Sequence, residues 1–200
     1  MGEVNNESPL WIFGYGSLLW KTDFPFAEKQ IGYIKGYIRR FYQSSVDHRG
    51  VPEKPGRVVT LLTSTNPEDK VWGIAYRIEN SDKQMVLRHL DFREKNGYVK
   101  ISVKFYPVDF IHTVENRPCK GQPCELVIYL ADKSNEHYAG EADIETIARQ
   151  VIEASGPSGP NKEYVYKLAE YMRKIAPGED DPHLFALEAA VKRLECKTFV

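Results

Sequence analysis

The hydrophobic period of this chain changes once, and that change limits the folds open to it. In the first two-thirds, apolar residues alternate or gather in short β-branched and aromatic runs; in the last third they recur at helical spacing. Residues 98–106 show the clearest alternation, with Ile101, Val103 and Phe105 set against Lys100, Ser102 and Lys104, the pattern of a sheet with one buried face. Residues 10–15, 33–42, 57–62, 71–78 and 125–131 read as further strands, broken by Gly and Pro. Between them, residues 82–93 carry Met85, Val86, Leu90 and Phe92 as a helix, followed by the turn signal Asn96-Gly97. Three helices follow. Ile144, Ile147, Ala148, Val151 and Ile152 form the first stripe, with Gly156 as its stop. Asn161 caps the second, and Asp181-Pro182 opens the third, which carries Leu184, Leu187, Val191 and Leu194. Strands followed by helices predict an α+β domain whose mixed sheet can curl into a barrel.

Two hundred residues suffice for one domain with a substantial core, so residues 1–200 are expected to form a single unit with residues 1–9 as a flexible N-terminal segment. A net charge of -1 offers no global attraction to nucleic acid or to anionic membranes, and Arg39-Arg40 reads as a solvated face. No apolar run approaches the roughly 18–20 residues needed to cross a bilayer. The polar N-terminus lacks the layout of a signal peptide. Cys119, Cys124 and Cys196 form an odd, sparse set, which predicts a reducing compartment and a cytosolic location, with Cys119 and Cys124 as free or incidentally oxidisable thiols. The five histidines show no metal-ligand spacing, there is no Walker loop, and Ser17 is followed by Leu18-Leu19 rather than the glycine a nucleophile elbow requires. No metal site is expected.

Two segments stand out chemically. Ile12, Phe13, Gly14, Tyr15, Gly16, Ser17 and Leu18 read as a buried strand running into a glycine-spaced turn. Glycines weaken a strand end, and their usual reason is a close approach to the backbone, where amides can converge on an oxygen or an anionic group. The second segment holds Glu94, where a predicted helix ends. A helix C-terminus disfavours a nearby carboxylate anion and raises its pKa, which suits a proton shuttle. On residues alone, the reading of Glu94 as a surface acid paired with Arg93 or Lys95 is the more ordinary one. Arg49, in Asp47-His48-Arg49-Gly50, can pair bidentately with a substrate carboxylate. Asp47 and His48 are adjacent and so poorly placed to act as a dyad. Tyr129 sits in an apolar strand, either as a core tyrosine or with its hydroxyl at a site. Residues 156–160 read as a rigid loop between helices and residues 108–123 as a long polar connection, neither with a catalytic set.

Taken together, FGYGSLLW, RRFYQSSVDHRGVPEKPGRVVTL, VWGIAYRI and DFREKNGY resemble the ChaC family of glutathione-specific γ-glutamylcyclotransferases, closest to its shorter branch. The resemblance extends through SGPSGPNKEY and DPHLFALE, nearly the whole chain. It implies a small mixed β-barrel with flanking helices. It also implies a lyase that cyclises the γ-glutamyl group of glutathione to 5-oxoproline and releases Cys-Gly without a cofactor. The family's catalytic carboxylate falls on Glu94, its γ-glutamyl loop on Ile12 through Leu18, and further substrate-binding positions on Arg49 and Tyr129. The implied partner is the small-molecule substrate, not nucleic acid or membrane, with the protein a monomer or weak homodimer. Cyclisation of other γ-glutamyl compounds, or binding of glutathione without turnover, remain the alternatives.

Overall fold

In the computed structural model, the described residues are 10–93, 99–108, 123–131 and 133–198. The strands are β1 (Leu10–Gly14), β2 (Glu28–Lys35), β3 (Tyr37–Ser45), β4 (Gly56–Thr63), β5 (Lys70–Ile78), β6 (Val99–Pro107) and β7 (Cys124–Leu130), with a small pair β8 (Ser155–Gly156) and β9 (Gly159–Pro160). The helices are α1 (Lys83–Arg93), α2 (Ile144–Glu153), α3 (Asn161–Ile175) and α4 (Pro182–Thr198). Five strands close a barrel in the order β1-β5-β2-β6-β7. Its ladders are antiparallel except at the seam, where β1 meets β7 in parallel through Ile12 and Val127. The expected mixed barrel with flanking helices is therefore the fold.

So small a barrel must be filled by side chains, and two glycines make the room. Gly32 and Gly73 face each other across β2 and β5. A Cβ on Gly32 would come within 2.5 Å of the Phe105 ring, and one on Gly73 within 2.5 Å of the Phe13 ring. Both phenylalanines are fully buried, with ring centroids 5.7 Å apart. Each contributes about 2–3 kcal/mol of burial. The β3–β4 ribbon packs beside β5, and the buried Thr60 hydroxyl donates to the Ala131 carbonyl at 2.6 Å, tying the ribbon to the end of β7. Helices α2, α3 and α4 pack against this ribbon.

Several expectations need correction. The run 33–42 is not one strand: Gly36, at φ +78°, breaks it, and the halves enter different sheets. Arg39 is not solvated but 2% exposed. It donates to the Trp72 carbonyl at 2.5 Å and to Asp181 at 2.9 Å, joining β3 to β5 and to the start of α4. Asn161 is not a cap; its fully buried amide clasps both the N–H and the carbonyl of Arg57, at 2.6 and 2.8 Å. Cys124 is disulfide-bonded rather than free, whereas Cys196 is free and exposed. No helix among the described residues is long and apolar enough to cross a membrane.

Candidate functional site

A cavity of about 700 Å³ opens where the barrel, the β3–β4 ribbon and α3 meet. Its wall takes residues from the turn after β1, from β3 and β4, from the last turns of α1, from β7, from the β8–β9 turn and from α3. Of the candidate residues, Phe13, Tyr15, Gly16, Ser17, Leu18, Arg49 and Tyr129 line it. Ile12 is fully buried, and neither it nor Gly14 reaches the cavity. Glu94 lies outside the described residues.

The turn after β1 is built by short-range bonds and braced from a distance. Leu19 and Lys21 amides donate to the carbonyls of Gly16 and Ser17 at 3.0 and 2.9 Å, closing a 3-10 turn over Ser17–Leu19. Those amides are used, so any amide cradle narrows to residues 15–18. The Tyr76 hydroxyl donates to the Leu18 carbonyl at 2.7 Å, and burial raises its pKa further above the usual phenol value. The Tyr15 hydroxyl donates to the Tyr129 carbonyl at 2.8 Å, fixing the turn to β7. Gly16 has a packing reason as well as a backbone one. A Cβ there would sit 2.9 Å from the Tyr164 hydroxyl and 3.1 Å from a Val59 methyl.

Arg49 is held by a knot of close-packed backbone. The Ser45 hydroxyl accepts from the Arg49 amide at 3.0 Å. A Cβ on Gly50 would meet the Ser45 carbonyl at 2.5 Å, one on Gly56 the Asn161 amide oxygen at 2.8 Å, and one on Gly156 the Gly50 nitrogen at 2.6 Å. No side chain fits between these segments, so the 45–50 loop and the β8–β9 turn form one block. The buried guanidinium of Arg49 donates to the Pro160 carbonyl at 3.0 Å and lies 6.0 Å over the Tyr164 ring. Its carboxylate neighbour, Glu163, is 3.5 Å away and half exposed. His48 and Asp47 are 3.9 Å apart and both exposed, in keeping with a poor dyad.

At the opposite wall, α1 presents His89 and Leu90 to the cavity. Its end is fastened through Asp91, which accepts from the Tyr129 hydroxyl at 3.0 Å and from Lys100 at 2.9 Å. Lys100 first, then Tyr129, holds the Asp91 carboxyl below the usual range. Tyr129 is thus both 8% exposed core and a hydrogen-bond donor at the site. Glu94 follows three residues after Asp91 in the chain.

Four residues of the cavity wall, Tyr164, Gln43, Pro157 and Ser158, were not singled out by the sequence reading. Tyr164 is 5% exposed, with Trp20 and Phe41 edge-on to its ring. It read simply as part of a helix, and its contact with Gly16 is far from local. Gln43, 2% exposed, also lines the cavity. The His137 amide donates to the Asn135 side-chain oxygen at 2.8 Å, so that oxygen must accept, and Gln43 meets it at 3.1 Å with its NH2 group. The Gln43 oxygen is left buried without a hydrogen bond. Pro157 and Ser158 line the cavity too, so the segment read as a plain loop is part of the wall. Among the described residues, no group of His, Cys, Asp or Glu side chains is arranged to hold a metal.

Comparison with known proteins places this geometry in context. The family described as ChaC-like protein matches residues 10–194. A Danio rerio relative named glutathione-specific gamma-glutamylcyclotransferase 1 is 44% identical over 192 residues, covering 94% of this chain and 91% of its own length. A Schizosaccharomyces pombe relative, named glutathione-specific gamma-glutamylcyclotransferase, is 34% identical and covers 99% of this chain and all (100%) of its own. Among solved structures, a yeast γ-glutamyl cyclotransferase specific to glutathione superposes with a TM-score of 0.83 at 27% identity, covering 94% of this chain and 97% of its own.

Proposed function

Because the chain belongs to the family of ChaC-like proteins, we propose that it cleaves glutathione by cyclising the γ-glutamyl group, giving 5-oxoproline and Cys-Gly. The substrate supplies both nucleophile and electrophile, so binding need only fold the α-amino group onto the γ-carbonyl. Glu94 takes a proton from the α-ammonium, whose pKa is roughly 8. The freed amine attacks the γ-carbon, forming the lactam C–N bond and a tetrahedral oxyanion. As the oxyanion collapses, the bond to the cysteinyl nitrogen breaks; Glu94 returns the first proton to that nitrogen and then relays the second, shed by the attacking nitrogen, so that a neutral lactam and the ammonium form of Cys-Gly result. Water is neither consumed nor produced.

The observation that carries this reading is the meeting of two sequence-distant segments at one cavity. The turn of residues 15–18 and the last turns of α1, which lead into Glu94, both line it. Backbone amides of residues 15–18 then hold the γ-glutamyl unit or its oxyanion, a kind of donor worth about 3 kcal/mol when well placed. The Arg49 guanidinium, prefixed by Pro160 and the Tyr164 face, takes the glutamyl α-carboxylate. Tyr129 holds the α1 end in register through Asp91. Incubation with glutathione and identification of the products tests the reaction. It should yield 5-oxoproline and Cys-Gly in equal amounts; glutamate in place of 5-oxoproline would mean hydrolysis instead.

A further inference from the structure

The proposed reaction explains one of the two carboxylates of glutathione through Arg49. The other, on glycine, sits at the far end of the dipeptide that leaves. We propose that Lys21 and Lys167 form the subsite for that carboxylate, which makes the enzyme select γ-glutamyl peptides with a free carboxylate over neutral-ended analogues. This assignment rests on the cyclisation reading above.

The two lysines come from different elements and both line the cavity. Trp20 packs its ring 5.3 Å from Tyr164 and 6.1 Å from Tyr171, both on α3. Tyr164, Lys167 and Tyr171 are spaced three and four apart and so share a helix face. Lys167 therefore rises beside Trp20, and Lys21 is the next residue after Trp20, with its amide fixed on the Ser17 carbonyl at 2.9 Å. All three, Trp20, Lys21 and Lys167, line the cavity.

Their charge is uncommitted. On α3, Lys162 is paired with Glu195 at 2.7 Å and Lys174 with Glu170 at 2.6 Å. Lys167, between them, and Lys21 are exposed, and their side chains make no hydrogen bond, ion pair or ring contact among the described residues. The two acids of the described cavity wall each lie by a histidine: Asp23 is 3.1 Å from His89 and Asp47 is 3.9 Å from His48. A cavity of about 700 Å³ has room beyond a γ-glutamyl group, so a bound tripeptide can extend from the turn of residues 15–18 to these lysines. The pair grips the leaving dipeptide equally before and during attack, so it acts on KM and not on kcat.

The test compares wild type with Lys21→Met, Lys167→Met and the double variant, on glutathione and on glutathione amidated at its glycine. Met keeps the length of the side chain and removes the charge, and both sites are exposed, so folding is unaffected. With wild type, amidation should raise KM about tenfold. The double variant should raise KM for glutathione about tenfold, leave kcat unchanged and leave KM for the amide unchanged; each single variant should give a smaller rise. An unchanged KM for glutathione in the double variant, or an equal rise for both substrates, overturns the lysine subsite while wild-type turnover leaves the cyclisation reading standing. If wild type releases no 5-oxoproline from glutathione, the cyclisation reading falls and the subsite falls with it.

Discussion

Gly16 is where backbone, packing and chemistry coincide. Its missing side chain leaves the space occupied by the Tyr164 hydroxyl and a Val59 methyl. Gly16→Ala must push these aside, an overpacking cost of about 1–3 kcal/mol, and disturb the turn that lines the cavity. We expect at least tenfold lower kcat/KM. Removing the hydroxyl in the Gly16→Ala/Tyr164→Phe double variant should restore part of both stability and activity, read as a non-additive cycle; strictly additive losses would contradict the contact. Tyr129→Phe separates the two readings left open for that residue. It removes the bond to Asp91 that fastens α1, with about 1 kcal/mol of stability lost. Kinetics should show kcat/KM down about tenfold, whereas unaltered kinetics would make Tyr129 core alone.

Among the elements, α4 carries a pH response. His183 accepts from the Phe41 amide through Nε2 at 3.1 Å, which only the neutral ring can do. Burial first, then Arg40, pushes its pKa down to about 4, against a partial offset from Asp181, while the Phe41 ring stacks on it and Tyr42 meets it edge-on. The unfolded chain takes up this proton near pH 6.5 and the folded chain only near 4, so this contribution to stability is complete above about 6.5. It is lost as pH falls toward 4, by about 3 kcal/mol at the bottom of that window. Urea melts of wild type and His183→Gln at pH 7.5, 5.5 and 4.5 check this. The variant, whose amide oxygen can still accept, should show a flatter slope; parallel slopes would contradict the assignment. The helices themselves were legible. Their stripes gave most of the buried faces, though Met85 of α1 is exposed, and Asp181 does accept from the Leu184 amide at 3.2 Å. Asn161 misled because a buried amide can serve a neighbouring strand as well as its own helix start. Gly36 went unseen because the aromatic run continues on both sides of it.

For the molecule as a whole, the barrel was legible from period and order, since strands came first and helices last. The site was legible only in part. Local motifs marked the turn after β1, Arg49 and Tyr129, because each motif carries its own unusual residues. Tyr164, Gln43 and the β8–β9 turn carry none, and they join the site only through packing between distant segments. The central claim is that this fold brings the turn of residues 15–18 and the residue after α1 to one substrate, with Glu94 moving the proton. The direct measurement is the initial rate of 5-oxoproline release from glutathione by wild type and Glu94→Gln, with thermal unfolding of both. The rate should fall about a thousandfold at an unchanged melting temperature. Glu94→Gln turning over within about tenfold of wild type would contradict the claim.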